Sequence, residues 1–99
     1  MSFVTAQPEL LATTADDLRN IGSGLAAQNA AASRPTAGVI PAAAEEVSAL
    51  TAVQFAAHAQ LYQAVSAQAA AVHDLFVQTL AASAVSYAAT EALNTIAAR

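Results

Sequence analysis

The chain has 99 residues, a net charge of −4, no cysteine and three basic residues, all of them arginines. A chain of this length forms one small domain at most. The shortage of basic side chains excludes nucleic-acid binding through phosphate contacts and disfavours an anionic membrane surface, and the lack of cysteine excludes disulfides and thiol chemistry. Alanine occupies 30 positions, and only three glycines and three prolines interrupt the chain, so we expect an all-α protein.

A first helix is predicted over about 8–33. Pro8 suits the first helical position, where its missing N–H is not needed, and Glu9 adds a favourable negative charge to the first turn. The larger apolar side chains of this helix recur mainly at intervals of seven residues and predict a packing stripe. These residues are Leu11, Leu18, Ile21 and Leu25. Gly22 and Gly24 each lower helix propensity by roughly 1 kcal/mol, and they mark either a close helix contact or a weak point.

The sequence SRPTAGVIP, residues 33–41, is the one clear interruption of the helical pattern. Two prolines and a glycine in this stretch end one helix and admit another, so we predict a loop over 34–41. A second helix is predicted from about 42 to 84, and it extends to about 97 if the pattern persists through the tail. A short loop between two helices indicates an antiparallel hairpin.

The second helix carries two rows of apolar side chains, displaced from one another by about 90° around the helix axis. The first row consists of Leu50, Ala57, Leu61, Gln68 and Leu75, with Val65 and Val72 beside it. The second row consists of Phe55, Tyr62, Ala69 and Phe76. One row can face the first helix, and the other then needs a different covering surface. The residues therefore predict half of a helical bundle that another chain completes, with the stripes of both helices forming the interfaces.

No catalytic or metal-binding constellation is apparent. His58 and His73 are too far apart for a His-x-x-x-His metal pair, and the adjacent His73 and Asp74 point to different helix faces, so both histidines are interpreted as interface or surface residues. The acidic pairs Asp16–Asp17 and Glu45–Glu46 are interpreted as solvated helix faces. No serine lies in a strained turn beside a base, and no glycine-rich phosphate loop is present. We therefore predict no enzyme, no cofactor, no metal and no small-molecule substrate.

The two ends of the sequence bear on export. The opening residues lack the basic and apolar regions of a signal peptide, and no run approaches the roughly 20 apolar residues of a membrane span. No cleavable signal peptide is therefore expected. Near the other end, SYAATE places Tyr87 and Glu91 four residues apart, which brings both side chains to one face of a helix. From spacing alone, Tyr87 packs on a partner and Glu91 is solvated, or the pair forms a recognition motif.

With these residues in view, the sequence closely resembles the PE family of mycobacteria, which is named after a Pro-Glu pair near the amino terminus, here Pro8 and Glu9. The resemblance covers nearly the whole chain. It is carried by four stretches: MSFV, PTAGVIPAAAEEVSAL, FAAHAQLYQAVSAQAAAVHDLFVQTLAA and SYAATEALN. In this family a PE domain often heads a longer protein, so a natural extension after Arg99 is compatible with the resemblance.

The resemblance implies a helical hairpin that pairs, one to one, with a PPE protein to form an elongated four-helix bundle. It also implies folding in the cytoplasm, followed by export through a type VII (ESX) secretion system to the cell surface or the medium. The family's carboxy-terminal signal, Tyr-x-x-x-Asp/Glu, matches Tyr87 and Glu91. Because this chain has no tryptophan, the Trp-x-Gly turn that accompanies the signal would come from the partner. An EspG-type chaperone would grip the PPE protein and barely touch this chain.

Two further interpretations use the same apolar stripes. The first is a self-assembling homodimeric four-helix bundle that acts as a secreted scaffold or effector. The second is a membrane-active amphipathic helix, which the shortage of basic residues disfavours. An enzyme fits the sequence least well.

Overall fold

The computed structural model describes residues 5–98. Residues 1–4, which include the opening stretch of the family resemblance, and residue 99 lie outside the described part. The described chain forms two helices, α1 (Pro8–Ala37) and α2 (Glu46–Ala97), and no strand occurs between residues 5 and 98. The predicted all-α fold is therefore confirmed.

Helix α1 begins at the Pro-Glu pair. The carbonyl oxygen of Gln7 accepts hydrogen bonds from the N–H groups of Leu10 at 3.0 Å and Leu11 at 3.4 Å. Pro8 therefore occupies the first helical position, where proline costs no hydrogen bond. Glu9 lies in the first turn, where its charge favours the helix dipole.

Helix α1 ends at Ala37, four residues beyond the predicted boundary, and Pro35 lies inside its last turn. A proline lacks the N–H donor and its ring crowds the carbonyl four residues earlier, but the residues around Pro35 still close the turn. The N–H of Gly38 donates to the carbonyl of Arg34 at 2.9 Å, and the hydroxyl of Thr36 donates to the carbonyl of Ala32 at 2.6 Å. The connection to the next helix therefore comprises residues 38–45 and not 34–41.

Helix α2 is a single continuous helix of 52 residues. It starts at Glu46, later than predicted, because residues 42–44 have no side chain that can cap a helix, whereas the carbonyl of Glu45 accepts the N–H of Ala49 at 3.1 Å. No glycine or proline occurs between residues 46 and 97, so nothing interrupts the helix before or after Tyr87.

The described residues fall into two compact units. We call them the terminal unit, which comprises residues 5–22 and 73–98, and the loop unit, Ser23–Val72. In each unit a segment of α1 packs antiparallel against a segment of α2. In the terminal unit, Ala6 bonds to Glu91 and Leu18 to His73, so later residues of the first segment meet earlier residues of α2. In the loop unit, Asn29 bonds to Gln63, and Pro35 lines one depression with Phe55.

Small side chains form the seam between the two helices in both units. The buried apolar residues of the described chain are Ala15, Val77 and Ala84 in the terminal unit, and Ala52 and Ala59 in the loop unit. On α2 they are spaced by seven residues within each unit, the interval expected for one packing face. Four of the five are alanines, and small side chains at a contact allow two helix backbones to approach closely.

The expectation that one apolar row of α2 faces α1 is wrong. Every large side chain of both rows is at least half exposed, and the seam consists mainly of smaller residues on a different face of α2. The physical reason is that α2 carries apolar or small side chains on every face, so its periodicity does not single out one face. The face with alanine at the central positions packs on α1, because it permits the closest contact.

Candidate partner interface and carboxy-terminal motif

Most of the residues predicted to meet a partner lie on the surface of the described structure. Leu11 and Leu18 are half-buried beside the seam. The other members of the predicted interface are exposed, by 50% to 67% of their area. These residues are Ile21, Leu25, Leu50, Phe55, Leu61, Tyr62, Val65, Val72, Leu75 and Phe76. Large apolar side chains with this exposure are the expected material of a protein–protein interface.

In the loop unit, Phe55 and Tyr62 line one open depression of about 500 Å³. The opposite wall comes from α1 and the following loop, with Pro35 and Val39 among its residues. The Tyr62 hydroxyl donates a hydrogen bond to Asn29 Oδ1 at 2.9 Å, which orients the ring. The depression is mostly apolar and has a few polar groups at its margin, a composition suited to side chains from a partner.

Asn29 also accepts a second hydrogen bond from α2. Gln63 Nε2 donates to the Asn29 carbonyl oxygen at 2.9 Å, in a partly buried contact. A single residue of α1 therefore meets two consecutive residues of α2, Tyr62 and Gln63. Together these bonds set the register of the two helices in the loop unit, since displacement by one residue breaks both.

In the terminal unit, His73 reaches across the seam to α1. Its Nε2 lies 2.7 Å from the carbonyl oxygen of Leu18, and because a carbonyl can only accept, Nε2 carries the proton in this contact. The ring occupies the space beside Gly22, where an added Cβ would lie 2.7 Å from Nε2. Of the two predicted explanations for Gly22, close contact is therefore correct, and His73 is an interhelical residue.

The carboxy-terminal motif lies beside the residues that precede α1. Glu91 is half-buried, and its Oε1 accepts the backbone N–H of Ala6 at 3.1 Å. Tyr87 is exposed and lines an open depression of about 490 Å³ together with residues 5–7. Residues 5–7 therefore lie beside both motif residues: Ala6 is bonded to Glu91, and the segment lines the same depression as Tyr87.

Three of these contacts escaped sequence inspection. They are the pairing of Gly22 with His73, the double role of Asn29, and the bond from Ala6 to Glu91. A signal for the first was present, because Ala52, Ala59, Ser66 and His73 recur at intervals of seven on the packing face. The Ala6–Glu91 bond and one of the two Asn29 bonds end on backbone atoms of distant residues, which side-chain patterns do not reveal.

Between residues 5 and 98, no three His, Cys, Asp or Glu side chains converge in a way that could hold a metal ion. Neither described helix contains a stretch long and apolar enough to span a bilayer.

Comparison with known proteins gives consistent matches. Residues 4–94 match the model of the PE family. The chain is 65% identical over 98 residues to the PE family protein PE13 of Mycobacterium tuberculosis H37Rv, and the alignment covers 99% of both chains. It is 53% identical over 98 residues to the PE family protein PE8 of the same strain, with 99% of this chain and 36% of that protein covered. It is 58% identical over 94 residues to the PE-PGRS family protein PE_PGRS33, again of that strain, with 95% and 19% covered. The chain thus spans nearly all of PE13 but only a minor part of the other two.

Proposed function

Because the chain belongs to the PE family, we propose that it is a non-enzymatic subunit of a PE/PPE heterodimer that a type VII (ESX) secretion system exports. In this proposal, pairing with a PPE protein completes a four-helix bundle, and Tyr87 and Glu91 form the export signal. The observation that carries the proposal is the distribution of apolar side chains. The large ones lie on the surface, whereas the seam consists mainly of alanine.

The interior of the described chain is too small to account for its apolar content. Among residues 5–98, no large side chain is fully buried. The ten exposed residues of the predicted interface retain 50% to 67% of their area. Burying the exposed area of these ten side chains would contribute on the order of 10 kcal/mol to the free energy of binding, before the cost of association is subtracted.

The exposed surface and the composition of this chain set two requirements for the proposed partner. It must present apolar helix faces, and it must supply the tryptophan of the Trp-x-Gly turn, since this chain has none. A PPE protein meets both requirements within this family. We further propose that an EspG-type chaperone acts on this chain only through the PPE partner, and that the folded pair is secreted or retained at the cell surface.

Co-expression with PPE proteins tests the pairing. We expect the chain to copurify with one PPE protein as a one-to-one complex. Sedimentation of the isolated chain over a wide concentration range is the matched control. A discrete, fully helical homodimer that does not exchange with any PPE protein would contradict the heterodimer, and it would support the self-assembling scaffold.

Export is tested with Tyr87→Ala in a mycobacterial host that makes the partner. We expect the complex to form and to remain in the cells, because Tyr87→Ala leaves the other exposed apolar side chains of α2 in place. The wild-type pair in a host without the secretion apparatus provides the reference for complete retention. Normal export of Tyr87→Ala would remove this residue from the signal, and loss of the complex would assign it a structural role.

A further inference from the structure

The segment of residues 5–7 lies beside both residues of the carboxy-terminal motif. The Ala6 N–H donates a hydrogen bond to Glu91 Oε1, and Tyr87 lines a depression to which all three residues of the segment contribute. The hydrogen bond joins residues that are 85 positions apart in the sequence. It connects the start of the described chain, immediately before the Pro-Glu pair, to the last turns of α2.

This geometry gives the two motif residues different surroundings. Tyr87 is exposed, so another protein can contact its ring. Glu91 is half-buried, and one of its oxygens is already occupied by a backbone donor. A carboxylate that accepts a backbone N–H forms a charge-assisted bond, which is stronger than a bond between neutral groups. Glu91 is therefore positioned to hold Ala6 and its neighbours against the end of α2.

We propose that Glu91 is a positioning residue in export, an inference that rests on the export function proposed above. Glu91 holds residues 5–7 against the end of α2, next to Tyr87. The surface that the export machinery meets then consists of the Tyr87 ring and residues 5–7. The contribution of Glu91 is to accept the Ala6 N–H, and its negative charge is not itself recognised.

Four variants separate hydrogen-bond acceptance from charge. Glu91→Gln keeps a side-chain oxygen that can accept the bond and removes the charge, whereas Glu91→Ala removes both. Ala6→Pro removes the donor and leaves Glu91 intact, and Ala6→Gly is its matched control because glycine keeps the N–H. Each variant is produced with the partner, copurification establishes that the complex forms, and the exported fraction is compared with that of Tyr87→Ala.

We expect Glu91→Gln and Ala6→Gly to be exported like the wild type, and Glu91→Ala and Ala6→Pro to be retained like Tyr87→Ala. Amide hydrogen exchange of the segment provides a second readout on the purified protein. Exchange at Ala6 should accelerate about fivefold in Glu91→Ala, because the opening no longer breaks a hydrogen bond. In Glu91→Gln, which keeps a neutral acceptor and loses the charge assistance, the acceleration should be smaller, about twofold.

Two results would overturn the proposal. Retention of Glu91→Gln with an unchanged Ala6 exchange rate would mean that the machinery recognises the charge directly. Normal export of Ala6→Pro would mean that the bond is irrelevant to export. Failure of the export function itself is distinguishable, because Tyr87→Ala would then also be exported normally, whereas failure of the positioning role alone leaves Tyr87→Ala retained.

Discussion

The terminal unit and the loop unit contain the same kind of seam but hold their helices together through different polar groups. In the terminal unit, the His73 ring donates to the carbonyl of Leu18, and the Glu91 carboxylate accepts the N–H of Ala6. Both bonds end on backbone atoms. In the loop unit, Tyr62 and Gln63 both reach the single residue Asn29, one at its side chain and the other at its backbone.

The difference shows how a chain with so little buried surface acquires a defined register. Alanine contacts alone are nearly interchangeable, since each contributes only a methyl group, roughly 0.8 kcal/mol. The polar contacts require particular atoms at particular positions, so displacement of the helices leaves donors without acceptors. The two units contain three pairs of equivalent residue types that test this comparison. They are Phe76 and Phe55, Gly22 and Gly24, and Tyr87 and Tyr62, with the terminal-unit residue named first.

The largest effect is expected from a charge on the exposed aromatic row. Phe76→Asp and Phe55→Asp place a carboxylate where the proposed partner covers the surface, and an unpaired buried charge costs about 3–5 kcal/mol. We expect the Kd of the complex to rise by at least about 100-fold in each variant. Titration calorimetry or a quantitative pull-down measures the change.

The conservative variants Phe76→Leu and Phe55→Leu serve as controls, because they keep most of the apolar area. Their affinity should remain within about tenfold of the wild type. If only one of the two aspartate variants loses affinity, the interface is confined to the unit that contains that residue. If neither does, the aromatic row does not face the partner.

A methyl group on each glycine should have opposite effects in the two units. At Gly24 nothing lies within 4 Å of the added Cβ, so Gly24→Ala should stabilise the protein by about 1 kcal/mol through helix propensity. At Gly22 the Cβ would lie 2.8 Å from His73 Cδ2. The ring must then move away from the Leu18 carbonyl, so we expect Gly22→Ala to be about 1–3 kcal/mol less stable than Gly24→Ala.

Thermal unfolding of the purified protein, monitored by circular dichroism, measures this difference in stability between Gly22→Ala and Gly24→Ala. The double variant Gly22→Ala/His73→Ala should recover part of the loss, because it removes the clash together with the ring. Equal stability of Gly22→Ala and Gly24→Ala would mean that the contact between Gly22 and His73 does not hold the helices of the terminal unit at their observed separation.

The smallest effect is expected from removal of the tyrosine hydroxyls. Tyr62→Phe loses the bond to Asn29, and we expect a destabilisation of about 0.5–1 kcal/mol, at the low end for a hydrogen bond because the site is exposed. For Tyr87, no hydrogen bond of the hydroxyl is found among residues 5–98, so Tyr87→Phe should change stability by less than about 0.5 kcal/mol. Thermal unfolding measures both.

The variants Tyr87→Phe and Tyr62→Phe also separate an effect on stability from an effect on export. Tyr87→Phe with normal stability but reduced export would assign the Tyr87 hydroxyl to recognition by the machinery. Normal export would leave the aromatic ring as the recognised part. A larger destabilisation from Tyr87→Phe than from Tyr62→Phe would contradict the difference in hydroxyl contacts described for the two units.

Much of the fold could be predicted because it depends on local chemistry. The abundance of alanine and the scarcity of glycine and proline determined that the chain is helical. The cluster around Pro35 and Pro41 determined that there are two helices, although the boundaries shifted by four residues at each end of the loop. The absence of any breaker after Pro41 allowed α2 to continue past Tyr87 to Ala97.

The packing could not be predicted in the same way. Periodicity identifies the faces of a helix but does not choose among several that are all apolar or small, and the large residues of α2 proved to lie outside the seam. Of the candidate site, the exposed rows and the Tyr87–Glu91 spacing could be identified from the sequence. The acceptor role of Glu91 could not, because Ala6 has no side-chain feature that marks it as a donor.

The sequence by itself therefore determined the helices, their interruption and the surplus of apolar side chains, since these follow from the propensity and hydrophobicity of each residue. Only the tertiary structure decided that alanine faces form the seam, that the His73 ring fills the space beside Gly22, and that residues 5–7 meet Glu91. These outcomes depend on close approach and on backbone donors and acceptors, and atoms that are far apart in the chain acquire such relations only when it folds.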